Sequence, residues 1–151
     1  MPLLRTPTIE RNGEVSPDGR WLAYESDESG RSEVYVRPFP AVASGRWQVS
    51  TGGGTRPFWA HDGRELFFNG GADGALTRVG VEGGSTFTAT APTKLLEPRY
   101  YTGGSGRTAR MGDVSADGRR FLMLKSASEG ASTSLVVVLN WTEELKRLIK
   151  R

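Results

Sequence analysis

One nine-residue phrase occurs three times in this chain of 151 residues. Ser16-Pro17-Asp18-Gly19-Arg20-Trp21-Leu22-Ala23-Tyr24 returns as Ala60-His61-Asp62-Gly63-Arg64-Glu65-Leu66-Phe67-Phe68. It returns again as Ser115-Ala116-Asp117-Gly118-Arg119-Arg120-Phe121-Leu122-Met123. The Asp-Gly pairs lie 44 and then 55 residues apart. Periods of that order mark an array of like units, each burying its faces against its neighbours.

Each copy reads as a β-hairpin. Asp-Gly between apolar runs is a strong turn signal, because Gly accepts the positive φ that the turn demands. In the first copy Pro17 presets the preceding φ and Gly19 takes the left-handed place. The outgoing runs, Trp21 to Tyr24, Glu65 to Phe68 and Phe121 to Lys125, are almost continuously apolar. That is the pattern of strands buried on both faces. A third strand is predicted at Ser32 to Arg37, Ala75 to Val81 and Leu135 to Asn140, and a fourth at Trp47 to Ser50 and Thr86 to Thr90. Four antiparallel strands in series make one propeller blade. The expected fold is therefore all-β: a partial β-propeller of about three four-stranded antiparallel blades, over 7–51, 52–98 and 99–140. The third unit lacks a fourth strand in this reading. Trp141, Leu145, Leu148 and Ile149 instead share one face of a short C-terminal helix over 141–151, with Asn140 as its cap. Leu3 to Thr6 reads as a stray outer strand with no blade before it.

Composition narrows the chemistry. The chain has no cysteine, which excludes disulfides, thiolate metal sites and cysteine nucleophiles. No leader pattern opens it, and the longest apolar run, Leu135 to Leu139, is far below the ~20 residues that span a bilayer. The net charge is +3, but the arginines are scattered among acids rather than gathered in a basic run. Neither nucleic-acid binding nor direct membrane insertion is expected.

The candidates for catalysis are few. His61 is the single histidine, and it occupies a turn position that the sister copies fill with Pro17 and Ala116. Gly103-Gly104-Ser105-Gly106 has Arg107 where a nucleophile elbow needs glycine, and no Gly-Lys pair exists for a phosphate loop. Glu14, Ser16, Asp18, Gly19 and Glu25 mimic the spacing of a calcium loop, but a buried strand follows instead of a helix. Asn140-Trp141-Thr142 fits a glycosylation sequon, though the expected helix start already accounts for Asn140. No catalytic residue, cofactor or metal is expected. One constellation remains. Aligning the copies sets Arg11 beside Thr55 and Arg110, Asn12 beside Arg56, and Glu14 beside Phe58 and Asp113. These positions begin the innermost strands. Arg11, Asn12, Arg56 and Arg110 read either as an electropositive channel rim for an anionic ligand or as arginine–acid pairing between units.

Three stretches carry a family resemblance. Ser16 to Tyr24, Glu33-Val34-Tyr35-Val36-Arg37-Pro38-Phe39-Pro40, and Trp47 to Ser50 with its following glycines together resemble the TolB-type, WD-repeat-like β-propeller family. The ending, Val138 to Lys146, is similar to the C-terminus of such propellers in large bacterial proteins, many of them with an N-terminal serine/threonine kinase domain. The resemblance implies a non-catalytic module that binds a protein partner or a ligand, or packs against the remaining blades of a longer propeller. It also implies an extracytoplasmic place within a membrane-anchored protein. The alternative is the substrate-gating propeller of a serine peptidase whose hydrolase domain lies elsewhere. The kinase signatures do not occur here. Ala60-His61 and Ser115-Ala116 depart from the family's Ser-Pro and are expected to blur those turns.

Three blades cannot close a ring. An open arc is expected to leave its first and last units with an uncovered apolar face. The chain then reads as a piece of a longer protein, as an open arc, or as half of a homodimer in which Leu3 to Arg5 supply a missing strand.

Overall fold

The computed structural model describes residues 3, 6–96, 112–125 and 136–137. Those residues form only strands, turns and connecting loops. The first sheet runs β1 (Glu10–Val15), β2 (Trp21–Ser26), β3 (Glu33–Pro38) and β4 (Trp47–Gln48), each antiparallel to the next. The second runs β5 (Gly54–Trp59), β6 (Glu65–Gly70) and β7 (Ala75–Glu82), with both β8 (Thr88–Ala89) and β9 (Thr93–Leu96) paired to β7. The third holds β10 (Gly112–Val114), β11 (Phe121–Lys125) and β12 (Val136–Val137). The expected helix over 141–151 and the strand at Leu4 and Arg5 lie outside the described residues.

The three corners are one structure repeated. The amides of Gly19, Gly63 and Gly118 donate to the carbonyls of Ser16, Ala60 and Ser115 at 2.8, 3.0 and 2.8 Å. The amides of Ser16, Ala60 and Ser115 donate in turn to Trp21, Glu65 and Arg120 at 2.8, 2.9 and 2.8 Å. The glycines have φ of 72°, 70° and 68°, the left-handed region that a side chain resists. Each aspartate Oδ1 accepts the amide two residues on, at 3.1, 3.0 and 3.1 Å for Asp18, Asp62 and Asp117. Losing the Ser-Pro pair therefore does not blur the second turn. Its hydrogen bonds need only the backbone, the aspartate and the glycine.

Side-chain direction then repeats from sheet to sheet. Successive strand residues face opposite sides, so a strand apolar at every position must be covered twice. Trp21 and Ala23 of β2, with Val34 and Val36 of β3, pack against Leu66, Phe68 and Val79 of the second sheet. Phe67, between Leu66 and Phe68, faces the other way and joins Phe58 and Leu76 against Val114, Met123 and Phe121 of the third. The second sheet is thus covered on both faces, and Leu66 and Phe67 are completely buried. Burying each such side chain contributes roughly 1.5–3 kcal/mol.

The outer faces differ from expectation on one side. Leu22, Tyr24 and Tyr35 point away from the second sheet, yet all three are buried. Phe39 and Val42 pack on them, and the guanidiniums of Arg37 and Arg46 lie 5.7 and 5.6 Å from the Tyr24 and Tyr35 rings. The first sheet therefore has no bare apolar face. On the third sheet Leu122 is 44% exposed.

The far edge of the second sheet carries one strand more than the sequence suggests. The fourth strand expected at Thr86 to Thr90 is present as β8, paired with Val81 and Glu82, and β9 adds a fifth, paired with Leu76, Thr77 and Arg78. Ala91-Pro92 separates them, and proline cannot donate to a ladder. β7 is eight residues long, so its edge holds both pieces.

The Asp18 carboxylate makes the first corner sensitive to acid. Burial pulls the Asp18 carboxyl up, but hydrogen bonds from the Ser16 hydroxyl and the Arg20 amide, with the Arg20 charge, outweigh it and leave the group below its ordinary 3.8. The unfolded chain then takes up this proton at a higher pH than the folded one. The stability Asp18 contributes is complete above the unfolded value of about 3.9 and is lost as pH falls through the depressed folded value. In urea titrations Asp18→Asn is expected to be less stable than wild type near neutrality, with the gap closing below about pH 4. A gap independent of pH rules the carboxylate out as its source.

Candidate functional site

Three of the four expected residues, Arg11, Asn12 and Arg56, come together around the Glu25 carboxylate. Glu25 is 2% exposed, near the end of β2. Its Oε1 accepts the Arg11 Nε at 2.7 Å, and its Oε2 accepts the Asn12 Nδ2 at 2.8 Å. The Arg56 backbone amide, from the second sheet, reaches the same Oε2 at 3.3 Å. Arg11 also donates to the Ser32 hydroxyl at 3.4 Å. Arg110, the fourth expected member, lies outside the described residues.

The backbone makes this convergence possible. β1 breaks register against β2 between Arg11 and Glu14, and β5 breaks register against β6 between Thr55 and Phe58. At those breaks Asn12 and Arg56 have φ of 53° and 51°, the two left-handed non-glycine residues among those described. The repeat alignment had already set them side by side. Each bulge turns one residue out of the ladder. In the first sheet that frees the Asn12 side chain for Glu25, and in the second it turns the Arg56 amide toward the same group. Glu14 adds a further tie: its carboxylate accepts the Trp59 amide at 3.2 Å, and its carbonyl accepts the Trp59 indole at 3.0 Å.

A second buried carboxylate fixes the crossing to the next sheet. Glu33 is fully buried, with the Arg31 Nε at 2.7 Å and the Gly53 amide at 3.0 Å on its Oε1. The Ser50 hydroxyl donates to its Oε2 and itself accepts the Val34 amide at 2.8 Å. Both glutamates follow the rule that a buried charge must be paired and hydrogen-bonded.

Arg11 and Asn12 are thus paired with Glu25 within the first sheet, and the Arg56 amide ties the second sheet to the same group. His61 sits exposed on its corner. Asp18 and Glu25, two of the calcium-loop mimics, stand at opposite ends of β2 and do not converge. Among the described residues no group of three or more His, Asp or Glu side chains is disposed to hold a metal ion, and no helix is long and apolar enough to cross a membrane.

An open surface lies instead between the first two corners. A groove of about 430 Å³ is lined by Asp18, Arg20 and Trp21 on one side and by Asp62, Arg64 and Glu82 on the other. The Arg20 guanidinium lies 5.5 Å from the Trp21 ring centroid and donates to the Gly84 carbonyl. The groove thus offers charges of both signs around the edge of the largely buried Trp21. Sequence reasoning missed it, because it arises from the spacing of two corners and from no local motif.

Removing the Glu25 carboxylate by Glu25→Ala is expected to cost about 2–4 kcal/mol in urea unfolding, since a half-exposed arginine and two buried-side donors lose their acceptor. Arg11→Ala is expected to cost less, its side chain being 37% exposed. The double variant is expected to be less destabilised than the sum of the two. Strict additivity means that the pair is not coupled.

No protein-family model matches the chain, and the curated proteins compared with it yield no match.

Proposed function

We propose that the three sheets are successive blades of a TolB-type β-propeller and that the chain is a non-catalytic recognition module. In this reading it is part of a larger bacterial sensor or kinase-linked protein. The observation that carries the fold reading is the repeated direction of the middle strands. Leu22 and Tyr24, Leu66 and Phe68, and Phe121 and Met123 all point backward along the stack, while Ala23 and Phe67 point forward into the next sheet. Units that pack head to tail in one sense suit a ring of blades, whereas a two-layer sandwich packs its sheets face to face.

Recognition is assigned to the corners. The Arg11 charge is paired with Glu25 inside the first sheet, whereas the groove beside Trp21 presents Asp62, Arg64 and Glu82 to solvent on a hairpin frame. Loops held by a rigid scaffold are the usual place for binding. A short segment of a protein partner, carrying charged side chains, is the ligand that such a surface suits.

Nitroxide labels test the arrangement, and the absence of native cysteine makes them specific. With Pro17→Cys, His61→Cys and Ala116→Cys labelled in pairs, both neighbour distances are expected to be similar and the outer distance less than their sum. An outer distance equal to the sum means a straight stack and overturns the propeller. Binding is tested by selecting displayed peptides on the intact protein. Selected peptides are expected to lose affinity for Arg64→Glu but not for the remote Ile9→Ser. Peptides indifferent to Arg64→Glu, or no selection at all, overturn the groove as the recognition surface.

A further inference from the structure

We propose that Asn12-Gly13 is a site of spontaneous backbone-mediated modification, at which Asn12 converts to aspartate and isoaspartate in the folded protein. The chain contains this dipeptide twice, at Asn12-Gly13 and Asn69-Gly70, and the fold treats the two oppositely. Asn12 and Gly13 lie in the gap where β1 leaves register with β2, with Asn12 left-handed at φ 53° and Gly13 exposed. Asn69 and Gly70 are ladder residues with partners on both sides, Thr55 and Leu76 for Asn69, Gly54 and Ala75 for Gly70. Asn69 is 8% exposed, and a Cβ at Gly70 would come within 2.5 Å of the Thr77 hydroxyl, so the backbone there is closed in.

The reaction needs only water. The Gly13 amide nitrogen gives up its proton and attacks the Asn12 Cγ. The new C–N bond closes a five-membered succinimide, and the side-chain nitrogen leaves as ammonia. Water then opens one of the two ring C–N bonds, giving aspartate or isoaspartate, with no change of oxidation state. The step requires freedom of the Asn–Gly backbone to bring nitrogen to Cγ, and local mobility of that kind belongs to unpaired segments.

The product strikes the Glu25 joint. Asn12 Nδ2 donates to Glu25 Oε2 at 2.8 Å, and conversion replaces that donor with a second carboxylate. Like charges at that separation repel, and Glu25 is buried. The Arg56 amide shares the same oxygen, so the tie between the first two sheets is loosened as well.

The test is a time course on the intact native chain at mildly alkaline pH, followed by peptide mass mapping and isoaspartate-specific methylation. The Asn12 peptide is expected to gain about one mass unit several-fold faster than the Asn69 peptide. In urea the two rates are expected to converge. Gly13→Ala, whose Cβ would meet nothing closer than Leu22 Cδ1 at 3.5 Å, is expected to fold and to slow the reaction. Equal native rates, or an Asn12 peptide that stays unchanged while Asn69 reacts, overturn the site. The consequence is read separately: Asn12→Asp is expected to unfold at lower urea than wild type, and an unchanged midpoint overturns the loosening of the joint.

Discussion

Strands β2 and β6 carry apolar side chains on both faces, and that demand shapes everything around them. Trp21 and Ala23 face one way while Leu22 and Tyr24 face the other. A single layer on one side leaves half of such a strand in water. The second sheet meets the demand with a sheet on each side. The first meets it with the second sheet on one face and with Phe39, Val42 and two arginines against the tyrosines on the other. Register is pinned by the same fact, because a slip by one residue exchanges the two faces.

Apolar burial fixes which faces meet, but it is indifferent to small sliding. The polar joints supply what it lacks. Glu25, Glu14 and Glu33 each reach from one element to a backbone amide of another: Arg56, Trp59 and Gly53. A hydrogen bond to a defined amide tolerates little displacement. The positions equivalent to Glu25 in the later units are Asn69 and Leu124, so this joint is peculiar to the first sheet. The array repeats its corners and apolar pattern, while its polar joints are particular to each interface.

The corners and long strands were legible because they rest on local chemistry. Asp-Gly requires a turn, and the runs after it require double burial. The alignment of Asn12 with Arg56 was legible too, since it follows from counting back from the corner, and both residues adopt the same rare backbone. What they bind was not. Glu25 reads in sequence as a strand residue, and its role depends on two bulges that shift β1 and β5 relative to their neighbours. β9 escaped because Thr93-Lys94-Leu95-Leu96 shows no alternation and follows a proline. The far face of the first sheet reads as bare in sequence because its cover comes from a loop, Phe39 to Val42, that has no strand pattern of its own.

The hydrogen bonds common to all three corners draw on one aspartate, one glycine and main-chain atoms, and they close alike whether Pro17, His61 or Ala116 stands at the apex, while Ser16 and Ser115 add hydroxyl bonds that Ala60 does without. Architecture and identity are therefore decoupled at these tips. An apex residue is exchangeable with no penalty to the register beneath it, so a lineage of such chains has room to diversify what its tips touch while the stacked layers stay the same.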